Sequence, residues 1–186
     1  MSRKLTPIRC TPQYYHKIWG GGHLAPTGGD KQIGEVWLLS ALIGQETPTE
    51  DADYEGASLD ALVARYGDRL LGRGQTVRCG GVFPLLIKLL DAAADLSVQV
   101  HPSPEEGGKD EVWYFLETEP TSRICLGLTE PMTADALRSV IERGDLMHYL
   151  HWEPVRPGEA IALPAGTIHA LGAGSMLIEV QDTSDT

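Results

Sequence analysis

Two hydrophobic periods divide this chain. Residues 1–34 are rich in turn formers, with Trp19-Gly20-Gly21-Gly22-His23 and Thr27-Gly28-Gly29-Asp30 reading as loops. Gly34-Glu35-Val36-Trp37-Leu38-Leu39-Ser40 predicts a strand, and the polar, acidic residues 44–56 predict an exposed loop. Ser58 is placed to cap a helix over 59–71, where Leu59, Leu62, Val63, Tyr66 and Leu70 fall near helical spacing, and Gly72-Arg73-Gly74 ends it. From Pro84 the period shortens. Residues 85–90 and 96–101 predict two strands joined through Asp91-Ala92-Ala93-Ala94-Asp95 as an antiparallel hairpin. A symmetric hairpin brings Lys88 near Gln99, and a register one residue off sends it to the other face. Further strands are predicted at 111–117, 122–128 and 175–181, and residues 157–166 read as turn, strand, turn. A helix over 134–143 is capped by Thr133 and stopped by Gly144. Many short strands with Gly and Pro turns, plus two helices, predict a mainly β protein, a sandwich or barrel with helical insertions.

Composition narrows the partners. A chain of 186 residues is long enough for one domain with a real core. It divides into an N-terminal part, 1–80, of loops, strands and a helix, and a β core, 81–186, with one helical insertion. The net charge of -11 argues against nucleic acid and anionic membranes as partners. A small phosphorylated substrate stays compatible, through a local positive site. Cys10, Cys79 and Cys125 are odd in number and have no ligand spacing, which predicts reduced thiols in a cytoplasmic protein. Residues 1–7 lead into no apolar run, so no signal peptide is expected. The longest apolar run, residues 82–90, contains Pro84 and Lys88 and is too short to span a bilayer. Nothing in the pattern sets an oligomeric state.

The chemistry starts in Leu96-Ser97-Val98-Gln99-Val100-His101-Pro102. Strand alternation sends Gln99 and His101 to one side and Val98 and Val100 to the other. Glu111 opens the next strand, and Pro164-Ala165-Gly166-Thr167-Ile168-His169-Ala170 delivers a second imidazole just after a turn. Two histidines, a carboxylate and an amide oxygen suit a divalent metal. Taken singly, each histidine reads equally well as a strand-end residue, and Glu111 as an exposed edge carboxylate. Lys109 shares the face of Glu111 if both lie in the strand, and Glu179 alternates with Gln181. Trp19, Trp37 and Trp113 read as core or cleft walls, and Arg123, Arg138 and Arg143 as solvated charges.

A Pro-Gly-Glu turn before a strand and a Pro-x-Gly-x-x-His turn after it resemble the jelly-roll barrel of the cupins. Seven stretches in order resemble the type I mannose-6-phosphate isomerases of the short bacterial form. They are Ile18-Trp19-Gly20-Gly21; Gly34 through Ser40; Phe83-Pro84-Leu85-Leu86-Ile87-Lys88-Leu89-Leu90-Asp91; Leu96 through Pro102; Gly108-Lys109-Asp110-Glu111-Val112-Trp113-Tyr114; Pro164 through Ala170; and Ile178-Glu179-Val180-Gln181-Asp182-Thr183-Ser184-Asp185. The resemblance implies a cupin barrel and one zinc ion bound by Gln99, His101, Glu111 and His169. It further implies a catalytic-centre lysine at Lys109, an active-site glutamate at Glu179 and, with less motif support, a substrate-phosphate contact at Lys88. The reaction implied is the interconversion of mannose 6-phosphate and fructose 6-phosphate through a cis-enediol. An isomerase of another phosphosugar and a non-catalytic sugar-binding cupin are the alternatives. In the family the Gln-x-x-Ser-Asp stretch runs on to a Tyr-Arg pair and more β structure. Neither is present here up to Thr186, so the expectation is a fold lacking its C-terminal part, either a piece of a longer protein or a shortened relative with an uncertain turnover.

Overall fold

The structure is a computed structural model that describes residues 5–26, 32–51, 54 and 56–184. The loop expected at Thr27-Gly28-Gly29-Asp30 lies outside the described residues, as do Met1 to Lys4, Asp185 and Thr186. In chain order the elements are β1 (Gln13–Gly21), β2 (Ile33–Leu39), α1 (Leu59–Tyr66), α2 (Asp68–Leu71), α3 (Gln75–Arg78), β3 (Leu85–Ala92), β4 (Glu111–Thr118), β5 (Arg123–Leu128), α4 (Ala134–Glu142), β6 (Leu150–Pro154), β7 (Ala160–Leu163), β8 (His169–Leu171) and β9 (Ser175–Asp182). Among the described residues, no helix is long and apolar enough to cross a membrane.

Two antiparallel sheets carry the fold. One has six strands in the order β1-β2-β3-β9-β4-β7, the other three in the order β6-β5-β8. Alternation along β3, β4 and β9 buries one side of the larger sheet. Leu90, Trp113, Phe115 and Leu177 from that side meet Ile124 and Leu171 of the smaller sheet in one apolar cluster. This is the packing of two sheets over a shared core, consistent with a cupin barrel. A second cluster of Tyr54, Leu62 and Tyr66 seats the helices.

The expected strands at 34–40, 111–117, 122–128 and 175–181 are present within a residue or two, as is the helix capped by Thr133, whose side chain accepts from the Ala136 N–H at 3.2 Å. Four expectations are corrected. The helix expected over 59–71 breaks at Gly67, whose φ of 50° and ψ of -127° end α1 before α2 begins. The turn-rich residues 1–34 contain β1, which takes in Trp19-Gly20-Gly21 of the stretch expected as a loop, because Tyr15, Lys17 and Trp19 alternate with exposed neighbours despite the glycines around them. Residues 44–56 are not simply exposed: Thr47 and Thr49 are buried, and Thr49 bridges to Cys10.

The fourth correction concerns the hairpin. Residues 85–90 and 96–101 do not pair, and 96–101 forms no strand, only an isolated bridge at Gln99. β3 instead lies between β2 and β9, with Lys88 opposite both Trp37 and Glu179. Residues 96–101 run alongside β8: Leu96 donates to the Leu171 carbonyl at 2.9 Å, and Gln99 and His169 exchange backbone bonds. The segment between crosses from one sheet to the other, so a turn composition between two apolar runs does not imply that the runs pair.

Candidate metal centre

Strand alternation and register together gather the polar residues at one end of the barrel. The buried side of β3 carries Leu86, Lys88, Leu90 and Ala92, that of β4 Glu111, Trp113 and Phe115, and that of β9 Leu177, Glu179 and Gln181. Cross-strand register sets Glu111 beside Gln181 and Trp113 beside Glu179, and sets Lys88 across from Glu179. One step further along, Leu90 and Phe115 both face Leu177. The mouth is therefore charged and the floor apolar.

Three donors converge there. Ligand atoms of His101, Glu111 and His169 all lie within 4.8 Å of one another, and all three residues are buried. Backbone bonds hold their segments together. Gly166 N–H donates to the His101 carbonyl at 2.7 Å, His169 N–H to the Gln99 carbonyl at 2.8 Å, and Ala165 N–H to Asp110 Oδ1 at 2.8 Å. His169 Nδ1 is 2.8 Å from the Thr167 carbonyl, which can only accept. Nδ1 therefore carries a proton, and Nε2 faces Glu111, 3.7 Å from Oε2.

His101 Nε2 is 3.2 Å from Glu111 Oε1. Burial first, and then the positive charge of Lys109, push the His101 imidazole down to about 4. It is neutral at physiological pH and carries a free lone pair. His101 Nε2 and Glu111 Oε2 are buried without a hydrogen-bond partner. Orphaned buried acceptors are costly, and a divalent cation would satisfy both. Two imidazoles and a carboxylate, one imidazole oriented by a backbone carbonyl, fit such an ion.

An ion-pair network adjoins the donors. Lys109 Nζ lies 2.7 Å from Glu111 Oε1 and donates to Gln181 Oε1 at 2.8 Å. Lys88 Nζ donates to the same oxygen at 2.8 Å and lies 3.1 Å from Glu179 Oε2. Trp113 Nε1–H donates to Glu179 Oε1 at 3.3 Å. At the edge, Lys17 pairs with Glu35 at 3.1 Å and Trp37 Nε1–H donates to Glu35 at 2.8 Å. Three lysines thus balance three carboxylates, and an added divalent cation would leave the mouth positive, suited to an anionic ligand.

The sequence-derived residues are largely united. Lys88, Gln99, Lys109, Glu111, His169 and Glu179 line one cavity, and His101 stands against Glu111 and His169. Gln99 differs from the others in being exposed, with its side-chain amide donating to Ser97 Oγ at 3.0 Å. Two members of the cluster, Glu35 and Gln181, were not singled out from the sequence. Their signal was available in the alternation of Glu35 with Trp37 and of Gln181 with Glu179.

The chain is similar to known proteins in both sequence and fold. The chain is 37% identical over 191 residues to a mannose-6-phosphate isomerase of Streptococcus mutans, covering 97% of this chain and 58% of that protein. The crystal structure of the mannose 6-phosphate isomerase from Bacillus subtilis superposes with a TM-score of 0.84 at 32% identity, over 98% of this chain and 60% of that one. A zinc-bound mannose 6-phosphate isomerase structure shares the fold at a TM-score of 0.71 and 17% identity, over 96% of this chain and 69% of that one. The chain thus spans somewhat under two thirds of the length of the first two. Residues 8–126 match the catalytic domain of the type I phosphomannose isomerases, and the chain belongs to that family.

Proposed function

We propose that this chain carries the metal centre and acid-base groups of a zinc-dependent isomerase that interconverts mannose 6-phosphate and fructose 6-phosphate. The observation that carries the reading is the buried group of His101, Glu111 and His169, two of whose donor atoms lack hydrogen-bond partners, directly beside Lys109 and Glu179. Gln99, on the rim of the same cavity, is the fourth ligand in this reading. Zinc is favoured by the imidazole and carboxylate donors and by the zinc-bound structure of the same fold. When bound, the ion polarises sugar oxygens as a Lewis acid and offsets negative charge developing on them.

The protein's own groups would handle the proton. Aldose-ketose exchange moves a proton between C2 and C1 through a cis-enediol, which requires a fixed base and a nearby donor. Glu179 has both carboxylate oxygens engaged, one by Trp113 and one by Lys88, so its orientation is set before substrate arrives. It is the candidate base. Lys109 supplies a buried ammonium that can donate to, or stabilise, an oxygen on the reacting carbons. Lys88 contributes positive charge for the anionic substrate. The walls of Trp37 and Trp113 would limit access of water to this end of the barrel.

The test is a coupled assay that converts fructose 6-phosphate to mannose 6-phosphate, run on this chain and on a form extended by the corresponding C-terminal part of a relative. Chelation should abolish turnover and added zinc should restore it. His169→Ala should lose both zinc retention and activity, and full activity in that variant would overturn the metal assignment. Retained zinc and sugar-phosphate binding without turnover in either form would identify a sugar-binding protein instead.

A further inference from the structure

We infer that Gln181 is a positioning residue that holds the ammonium groups of Lys88 and Lys109 at one point in the cavity. The inference rests on the isomerase reading only for its kinetic consequence. Gln181 is 1% exposed and sits on the inward side of β9, opposite Leu86 on β3 and Glu111 on β4. All of its side-chain hydrogen-bonding groups are in use. Its Oε1 accepts from Lys88 Nζ and from Lys109 Nζ, each at 2.8 Å. Its Nε2 donates to the carbonyls of Asp182 and Ser184, each at 3.0 Å.

This pattern fixes the orientation of the carboxamide. Turned over, the amide would present N–H groups to two ammoniums and an oxygen to two carbonyls, with no complementary pair on either side. The two backbone carbonyls at the end of β9 therefore aim Oε1 at the lysines. Each lysine also has its own carboxylate, Glu179 for Lys88 and Glu111 for Lys109. Without a shared acceptor, two buried like charges would move apart and each follow its carboxylate. Gln181 thus joins the Glu179 side of the cavity to the Glu111 side through a chain of Lys88, amide oxygen and Lys109. It touches neither donor histidine in this network and needs no contact with substrate to act.

The side-chain chemistry separates this role from simple packing. Gln181→Met keeps the volume but removes the acceptor, whereas Gln181→Glu keeps an oxygen at the same reach. With lysine side chains isotopically labelled, the unaltered protein should show two slowly exchanging ammonium resonances for Lys88 and Lys109, assigned by Lys→Arg substitution. Both should disappear into the exchanging pool in Gln181→Met and at least one should persist in Gln181→Glu. In the isomerase assay Gln181→Met should lower kcat roughly 10-fold to 100-fold, as expected for displaced reacting groups, with KM changed about threefold or less, and Gln181→Glu should recover most of the loss. Absence of the two protected resonances in the unaltered protein, or their survival in Gln181→Met, overturns the inference. So does an equal fall in kcat for both variants. The resonance measurement stands even if no isomerisation is found, so failure of the functional reading is distinguishable from failure of this one.

Discussion

Glu111 is held by two kinds of partner, and they impose opposite demands. Lys109 at 2.7 Å supplies a full counter-charge, while His101 and His169 offer lone pairs that call for a cation between them and the carboxylate. A buried ion pair gains little over well-packed apolar groups, but removing one partner strands the other. In metal-free protein, Glu111→Gln should therefore lower the free energy of unfolding by about 3 kcal/mol, measured by urea denaturation in the presence of chelator. The double variant Lys109→Met with Glu111→Leu should recover most of that loss. A Glu111→Gln protein as stable as the parent would show that Lys109 escapes to solvent. Much of this residue-level picture was legible beforehand: His101, Glu111, His169, Lys109 and Glu179 stand out as chemistry-bearing types on alternating positions. The exposed rotamer of Gln99 and the two-lysine contact of Gln181 were not, because a side chain's partner across a sheet depends on strand order.

At the scale of elements, the segment before β4 helps to place Lys109 and Glu111. Residues 102–108 fold back so that Gly108 N–H reaches the Ser103 carbonyl at 2.9 Å, just before Lys109 enters the cavity. A Cβ at Gly108 would lie 1.7 Å from the Pro102 carbonyl oxygen, a backbone atom that cannot yield without opening the loop. Gly108→Ala should cost about 1–3 kcal/mol and weaken metal retention although no ligand is changed. Thermal unfolding together with metal content after dialysis would check this, and unchanged values for both would show that the loop relaxes freely. The misread hairpin belongs to this scale as well. Residues 85–90 form a strand as expected, but residues 96–101 form none beyond the isolated Gln99–His169 bridge, and their partners are β9 and β8, far along the chain. Local turn composition carries no information about partners that distant.

The whole molecule depends on the contrast between the two sides of its larger sheet. Phe115 is fully buried between the sheets, while its neighbour Tyr114 is 43% exposed. Phe115→Ala should cost about 4 kcal/mol, against about 1 kcal/mol or less for Tyr114→Ala, both read from denaturant midpoints. Comparable losses would mean that the outer face is packed in solution. The β class, the short strands, the helix caps at Ser58 and Thr133 and the family likeness were determined by the sequence alone, since periodicity, capping and ordered motifs are local properties. The tertiary structure decided which strands pair, the break at Gly67 and the burial of Thr47 and Thr49. It also decided the meeting of Lys88 and Lys109 on one oxygen of Gln181. The strand pairing and the Lys88–Gln181–Lys109 contact follow from register between strands distant in the chain, where a one-residue shift changes every neighbour while leaving the local pattern untouched.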